Sequence, residues 1–72
     1  MRGNFFYQRL GERLITERKK KNLSQEELAL ISDVDRTYVA RIEEGKANPT
    51  VRVLHKLARR LKVRVADLLV GV

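Results

Sequence analysis

With 72 residues, sixteen Lys and Arg against nine Asp and Glu, the chain is read as one domain, residues 1–72, near the lower limit for folding alone, and its formal charge of +7 favours a polyanion: DNA, RNA or an anionic membrane surface. The absence of cysteine excludes disulfides and thiolate metal sites and fits a reducing interior. No apolar run approaches a membrane span, and Met1 to Leu10 lacks the continuous apolar core of a signal peptide, so the expected location is cytoplasmic.

In chain order, Met1 to Asn4 reads as a loose tail, with Asn4 placed to cap a first helix. Phe6, Leu10 and Leu14 follow at i, i+4 steps and form a face expected to enter the core. Phe5 and Tyr7 point elsewhere, to cover the edge of a bundle or to touch a second subunit. Arg18, Lys19, Lys20 and Lys21 close the helix, where cations interact favourably with its dipole. Asn22 suits a left-handed stop, and Leu23 then turns inward.

Ser24 and Glu27 form the capping box S-x-x-E at the start of a second helix. Leu28, Ala29, Ile31 and Ser32 continue it with apolar positions on one side. Asp33-Val34-Asp35 breaks the pattern; Asp33 tolerates the left-handed region, and Asp35 can cap a third helix from Arg36 to Glu44. Val39 and Ile42 share its inner face, and Gly45 stops it. Two short helices with a three-residue break must cross steeply, with a small residue where they meet, and Ala29 supplies it. This is the helix-turn-helix pattern. Arg36-Thr37-Tyr38 then stands exposed at the start of the third helix, which points to duplex DNA as the partner.

Lys46 to Thr50 reads as a loop, since Pro49 holds Asn48 away from helix and Thr50 can cap the next helix. That fourth helix spans about Val51 to Leu61, with Leu54, Leu57, Ala58 and Leu61 as its apolar stripe. His55, the only histidine, sits beside that stripe as a surface residue. Arg59, Arg60, Lys62 and Arg64 read mostly as a solvated face. A lone strand at Val63 to Val65 would have nothing to pair with, so a short fifth helix from about Val65 to Val70 is expected. Not every apolar side chain there can be buried. Leu69, Val70 and Val72 are expected to form an exposed patch that joins two copies, with Phe5 or Tyr7 as possible additions.

The runs LSQEELA, DRTYVARIEEGKANPT and LHKLARRLKVRVADLL resemble the Cro/phage-repressor-like helix-turn-helix family, also called the xenobiotic-response-element family, over about Leu10 to Leu69. The resemblance implies an all-α, compact five-helix, lambda-repressor-like DNA-binding domain with the third helix in the major groove. It implies a homodimer on a near-palindromic, double-stranded operator. Stand-alone chains of this length resemble phage-type repressors, antitoxin-type autoregulators or the controller proteins of restriction–modification operons, and DRTYVARIE is particularly like the controllers. The resemblance assigns base contacts to Arg36, Thr37 and Arg41. It assigns DNA-backbone contacts to Gln25, Tyr38, Lys46 and Asn48, and a partly buried ion pair to Arg18 and Glu43. Glu17 departs from an apolar position and Arg64 from a small polar cap, so the packing of the first helix and the start of the fifth are open.

Arginine suits this role because its planar fork matches the O6 and N7 acceptors of guanine. The reading is a sequence-specific transcriptional regulator. The alternative is an antitoxin whose main partner is a toxin protein, but a toxin-binding segment usually needs extra chain. An enzyme is not supported by any catalytic constellation, and no cofactor, metal or small-molecule ligand is implied.

Overall fold

The computed structural model describes residues 2–72, with side chains from Phe5 onward; α1 starts before Asn4, so the expected helix cap at Asn4 is instead a residue inside the helix. Among the described residues five helices follow in order: α1 (Arg2–Lys20), α2 (Gln25–Ser32), α3 (Arg36–Glu43), α4 (Val51–Leu61) and α5 (Val65–Leu68). The backbone of α1 already includes Arg2 to Asn4, which the sequence alone reads as a loose tail. Among the described residues, no helix is long and apolar enough to cross a membrane.

Each boundary has a local cause. Asn22, at φ 58°, ends the turn after α1, and the Leu23 N–H donates back to the Arg18 carbonyl at 3.2 Å. The Ser24 hydroxyl accepts from the Glu27 N–H at 3.0 Å while the Glu27 carboxylate accepts from the Ser24 N–H at 2.8 Å, completing the capping box. Asp33 takes the left-handed conformation between α2 and α3, at φ 57°. The Asp35 carboxylate accepts from the Thr37 N–H, and the Thr50 hydroxyl from the Val53 N–H, opening α3 and α4. Lys62 ends α4 at φ 60°, a conformation its residue type does not signal. α5 starts without a small polar cap. Instead the Arg64 N–H donates to the Asp67 carboxylate at 2.8 Å. It is also shorter than expected, ending at Leu68, where the Leu69 N–H turns onto the Ala66 carbonyl at 3.1 Å.

The core is built from Leu10 and Leu14 of α1, Leu28 and Ala29 of α2, Val39 and Ile42 of α3, Leu54, Leu57, Ala58 and Leu61 of α4, and Leu68 of α5. Two sequence expectations fail here. Phe6 is 41% exposed and not part of the core face. At 19 residues, α1 is about 28 Å long, against 8 and 11 residues for α2 to α4, so its first turns project beyond the helices that would cover them. Phe6 packs instead edge-on against Tyr7, ring centroids 5.4 Å apart. Ile31 is also 41% exposed, because the buried face of α2 is Leu28, Ala29 and Ser32, and Ile31 falls on its flank.

Glycine makes the closest helix contact possible. A Cβ on Gly11 would lie 2.5 Å from the Ile42 carbonyl oxygen and 2.6 Å from that of Glu43, so α1 meets the end of α3 backbone to backbone. Glu17 stays buried on α1 among cations, with Lys20 at 3.4 Å and Arg13 at 3.9 Å.

Candidate nucleic-acid interface

The outer face of α3 is defined by what its inner face must bury. Val39, Ile42 and Glu43 face the core, so Thr37 and Arg41, one turn apart, stand at the opposite pole and are exposed. Arg36 is exposed too, but lies about 140° around the axis from Arg41 at 100° per residue, and about 7.5 Å along it. Tyr38 is half-buried, its ring packed against the core. Glu44, at the end of α3, joins Thr37 and Arg41 on the exposed pole. Sequence reasoning misses it, although it is seven residues after Thr37 and on the same face.

One carboxylate holds α3 in place. Arg18 donates from Nε to Glu43 Oε2 at 2.7 Å and from Nη2 to Oε1 at 3.1 Å, a two-pronged pair. Its remaining nitrogen, Nη1, donates to the Leu23 carbonyl at 2.8 Å. Gln25 Nε2 donates to Glu43 Oε1 at 2.7 Å. The Glu43 side chain is buried, at 3% exposure, and that of Arg18 is partly buried, at 12%. α1, the turn before α2, the first residue of α2 and the end of α3 therefore share one polar knot. This changes the part Gln25 can play. Its amide donor is directed inward onto Glu43, which leaves the backbone N–H groups of Gln25 and Glu26, without an acceptor inside the helix, as the donors at the start of α2.

The loop after α3 is tied to the same helix. The Lys46 N–H donates to the Arg41 carbonyl at 2.9 Å, and Arg41 Nη2 donates to the Lys46 carbonyl at 3.0 Å. Gly45, at φ 76°, permits this tight return, and a Cβ there would meet Gln8 at 2.9 Å. Lys46 and Asn48 are exposed on the loop, with the Lys46 ammonium 3.9 Å from Glu44. Arg41 is thus both an exposed cation on the outer pole of α3 and the brace of the following loop.

Beyond α5, Leu69 and Val70 are 40% and 59% exposed. Val72 departs from its expected place in that patch. Its N–H donates back to the Leu69 carbonyl at 3.1 Å, and the turned chain lays Val72 against the core, half-buried. A groove of about 260 Å³ runs beside Val70 and Gly71, walled by Arg9, Glu12, Arg13 and Thr16 of α1. Arg13 also fixes α5, donating through Nε and Nη2 to the Asp67 carbonyl at 3.3 and 3.2 Å. That anchor has no signature in the sequence, because its acceptor is a backbone oxygen.

The chain matches the helix-turn-helix family over residues 14–68. It is 42% identical over 50 residues to the control protein C.BamHI of Bacillus amyloliquefaciens, covering 69% of this chain and 62% of that one. It is 41% identical over 61 residues to the control protein C.MunI of a Mycoplasma species, covering 83% and 82%. The restriction-modification controller protein C.AhdI from Aeromonas hydrophila superposes with a TM-score of 0.84 at 39% identity, covering 86% of this chain and 94% of that one.

Proposed function

The chain belongs to the helix-turn-helix family of DNA-binding transcription regulators, and on that premise we propose that it binds a near-palindromic operator as a homodimer, with α3 of each copy in the major groove. The observation that carries this reading is the rigid presentation of α3. Its inner face is buried, its end is locked through Glu43, and Arg36, Thr37 and Arg41 are left exposed. Arg36, Thr37 and Arg41 read base edges. Tyr38, Lys46, Asn48 and the N-terminal turn of α2 at Gln25 meet the DNA backbone. The Arg18–Glu43 pair sets the angle of α3 against the rest of the domain. Leu69 and Val70, with Val72 beneath them, join the two copies. The likeness to proteins named as restriction–modification controllers favours operon control, acting in the cytoplasm, over the antitoxin alternative.

Selection of duplexes from a random pool tests it. An enriched, two-fold symmetric site is the expected result, and a pool that stays random after several rounds would sink the reading.

A further inference from the structure

The positive charge of this chain is not spread over it. Nine cations and nine acids are distributed over residues 1–44 and 67–72, and they balance. The whole excess of +7 comes from Lys46, Arg52, Lys56, Arg59, Arg60, Lys62 and Arg64, a segment with no Asp or Glu at all. Four of these lie on α4. Arg52, Arg59 and Arg60 are exposed and Lys56 is half-buried, all on the side away from Leu54, Leu57, Ala58 and Leu61. Among the described residues, none of the four takes part in an ion pair.

Helix electrostatics accounts for only part of this stripe. Arg59 and Arg60 sit in the last turn, where the helix dipole favours cations. Arg52 sits in the first turn, where the dipole disfavours them, and Lys56 lies four residues on, at the spacing where like charges repel. The fold gains nothing from that placement, since the packing of α4 depends on its opposite face. Arg52 follows the loop carrying Lys46 and Asn48 by only a few residues, so the stripe begins next in the chain to the stretch assigned above to the DNA backbone. From Arg52 to Arg60 it runs about 12 Å at 1.5 Å per residue, roughly three and a half base-pair steps.

We propose that the outer face of α4 is a second DNA contact, gripping the phosphate backbone of the duplex that flanks each half-site. It reads no bases; it draws the flanking duplex against the side of the domain and lengthens the footprint. This rests on the operator-binding reading above, and the experiment separates the two. The probe is the duplex recovered by selection from the random pool, used either trimmed to its symmetric core or extended by about ten base pairs on each side. If no duplex is recovered, operator binding itself fails. With the duplex in hand, the wild-type protein binds the extended form at least about ten-fold more tightly than the core at low salt, and its log–log salt slope is steeper by about 5 per dimer, for three phosphates neutralised on each side. The R52Q/R59Q/R60Q variant loses that advantage and the added slope, but holds the core duplex within about three-fold and keeps its base preferences. The charge-retaining R52K/R59K/R60K variant restores both. Circular dichroism confirms that each variant is folded. An unchanged preference for extended duplex in R52Q/R59Q/R60Q, or an equal loss on core and extended forms, overturns the proposal.

Discussion

Glu43 is the residue on which the placement of α3 depends, and its partners make the dependence measurable. With both carboxylate oxygens engaged by Arg18, and Oε1 also by Gln25, removal of Arg18 strands a buried charge. Arg18→Ala or Glu43→Ala is expected to cost about 3 kcal/mol or more, and the double substitution much less than the sum, because a buried pair contributes little net stability while half of it is costly. Urea unfolding of the four proteins completes the cycle, and additive losses would show that the two charges do not interact. Gly11 makes the opposite kind of prediction. Alanine stabilises most helix interiors relative to glycine, but here its methyl would press on the carbonyls of Ile42 and Glu43. Gly11→Ala should therefore destabilise by roughly 1–3 kcal/mol, the usual range for overpacking. A rise in stability would mean that α1 and α3 can move apart freely.

Among the elements, α5 is the smallest and depends most on electrostatics. The Arg64 N–H donated to the Asp67 carboxylate, ahead of the nearby Arg64 and Arg13 charges, holds that carboxyl below its ordinary value of 3.8. A carboxyl depressed by folding adds stability that is complete above its unfolded pKa and lost as pH falls through the folded one. The gap in melting temperature between wild type and Asp67→Asn should thus be constant from pH 7 to about 5 and close below about 4. A gap that persists at the acid end would remove the carboxylate from the cap. The helix starts and stops around this element and its neighbours were legible because each is written in a few adjacent residues: Ser24 with Glu27, Asp35 before Arg36, Gly45, Thr50. What was not legible depends on distant partners or on length. Phe6 has the right spacing for a core face, yet α1 outruns its neighbours; Lys62 adopts a left-handed conformation that lysine does not announce; Arg13 anchors α5 through a backbone oxygen. In the interface, the outer positions of α3 follow from periodicity alone. The inward turn of Gln25 and the bracing of the loop by Arg41 do not, since both are choices of side-chain partner.

For the whole molecule, the question is how two copies would share one operator. α3 and its loop carry exposed cations, whereas the last residues, Leu69 and Val70 among them, follow Asp67 without a further charge. An exposed apolar patch on so small a domain is costly to leave in water, and a two-fold axis through it satisfies both copies with one surface. Burying Val72 against the core narrows that patch, so Leu69 and Val70 must supply most of the contact. The axis would also have to set the two α3 helices about 34 Å apart, one turn of duplex, for both to enter the major groove on one face. Sedimentation at micromolar concentration should then give a dimer for the wild type and a monomer for Leu69→Asp. The same substitution, which alters no residue near α3, should abolish tight binding to a two-fold site while leaving weak binding to a single half-site. Substitutions on α3 divide differently: Arg36→Ala should leave the dimer intact and lose roughly 1–3 kcal/mol of discrimination at particular base positions, whereas Lys46→Ala should weaken all sequences alike. A wild-type monomer in the centrifuge, together with undiminished operator binding by Leu69→Asp, would place the two-fold contact elsewhere, with exposed Phe5 and Phe6 at the projecting end of α1 the next surface to substitute.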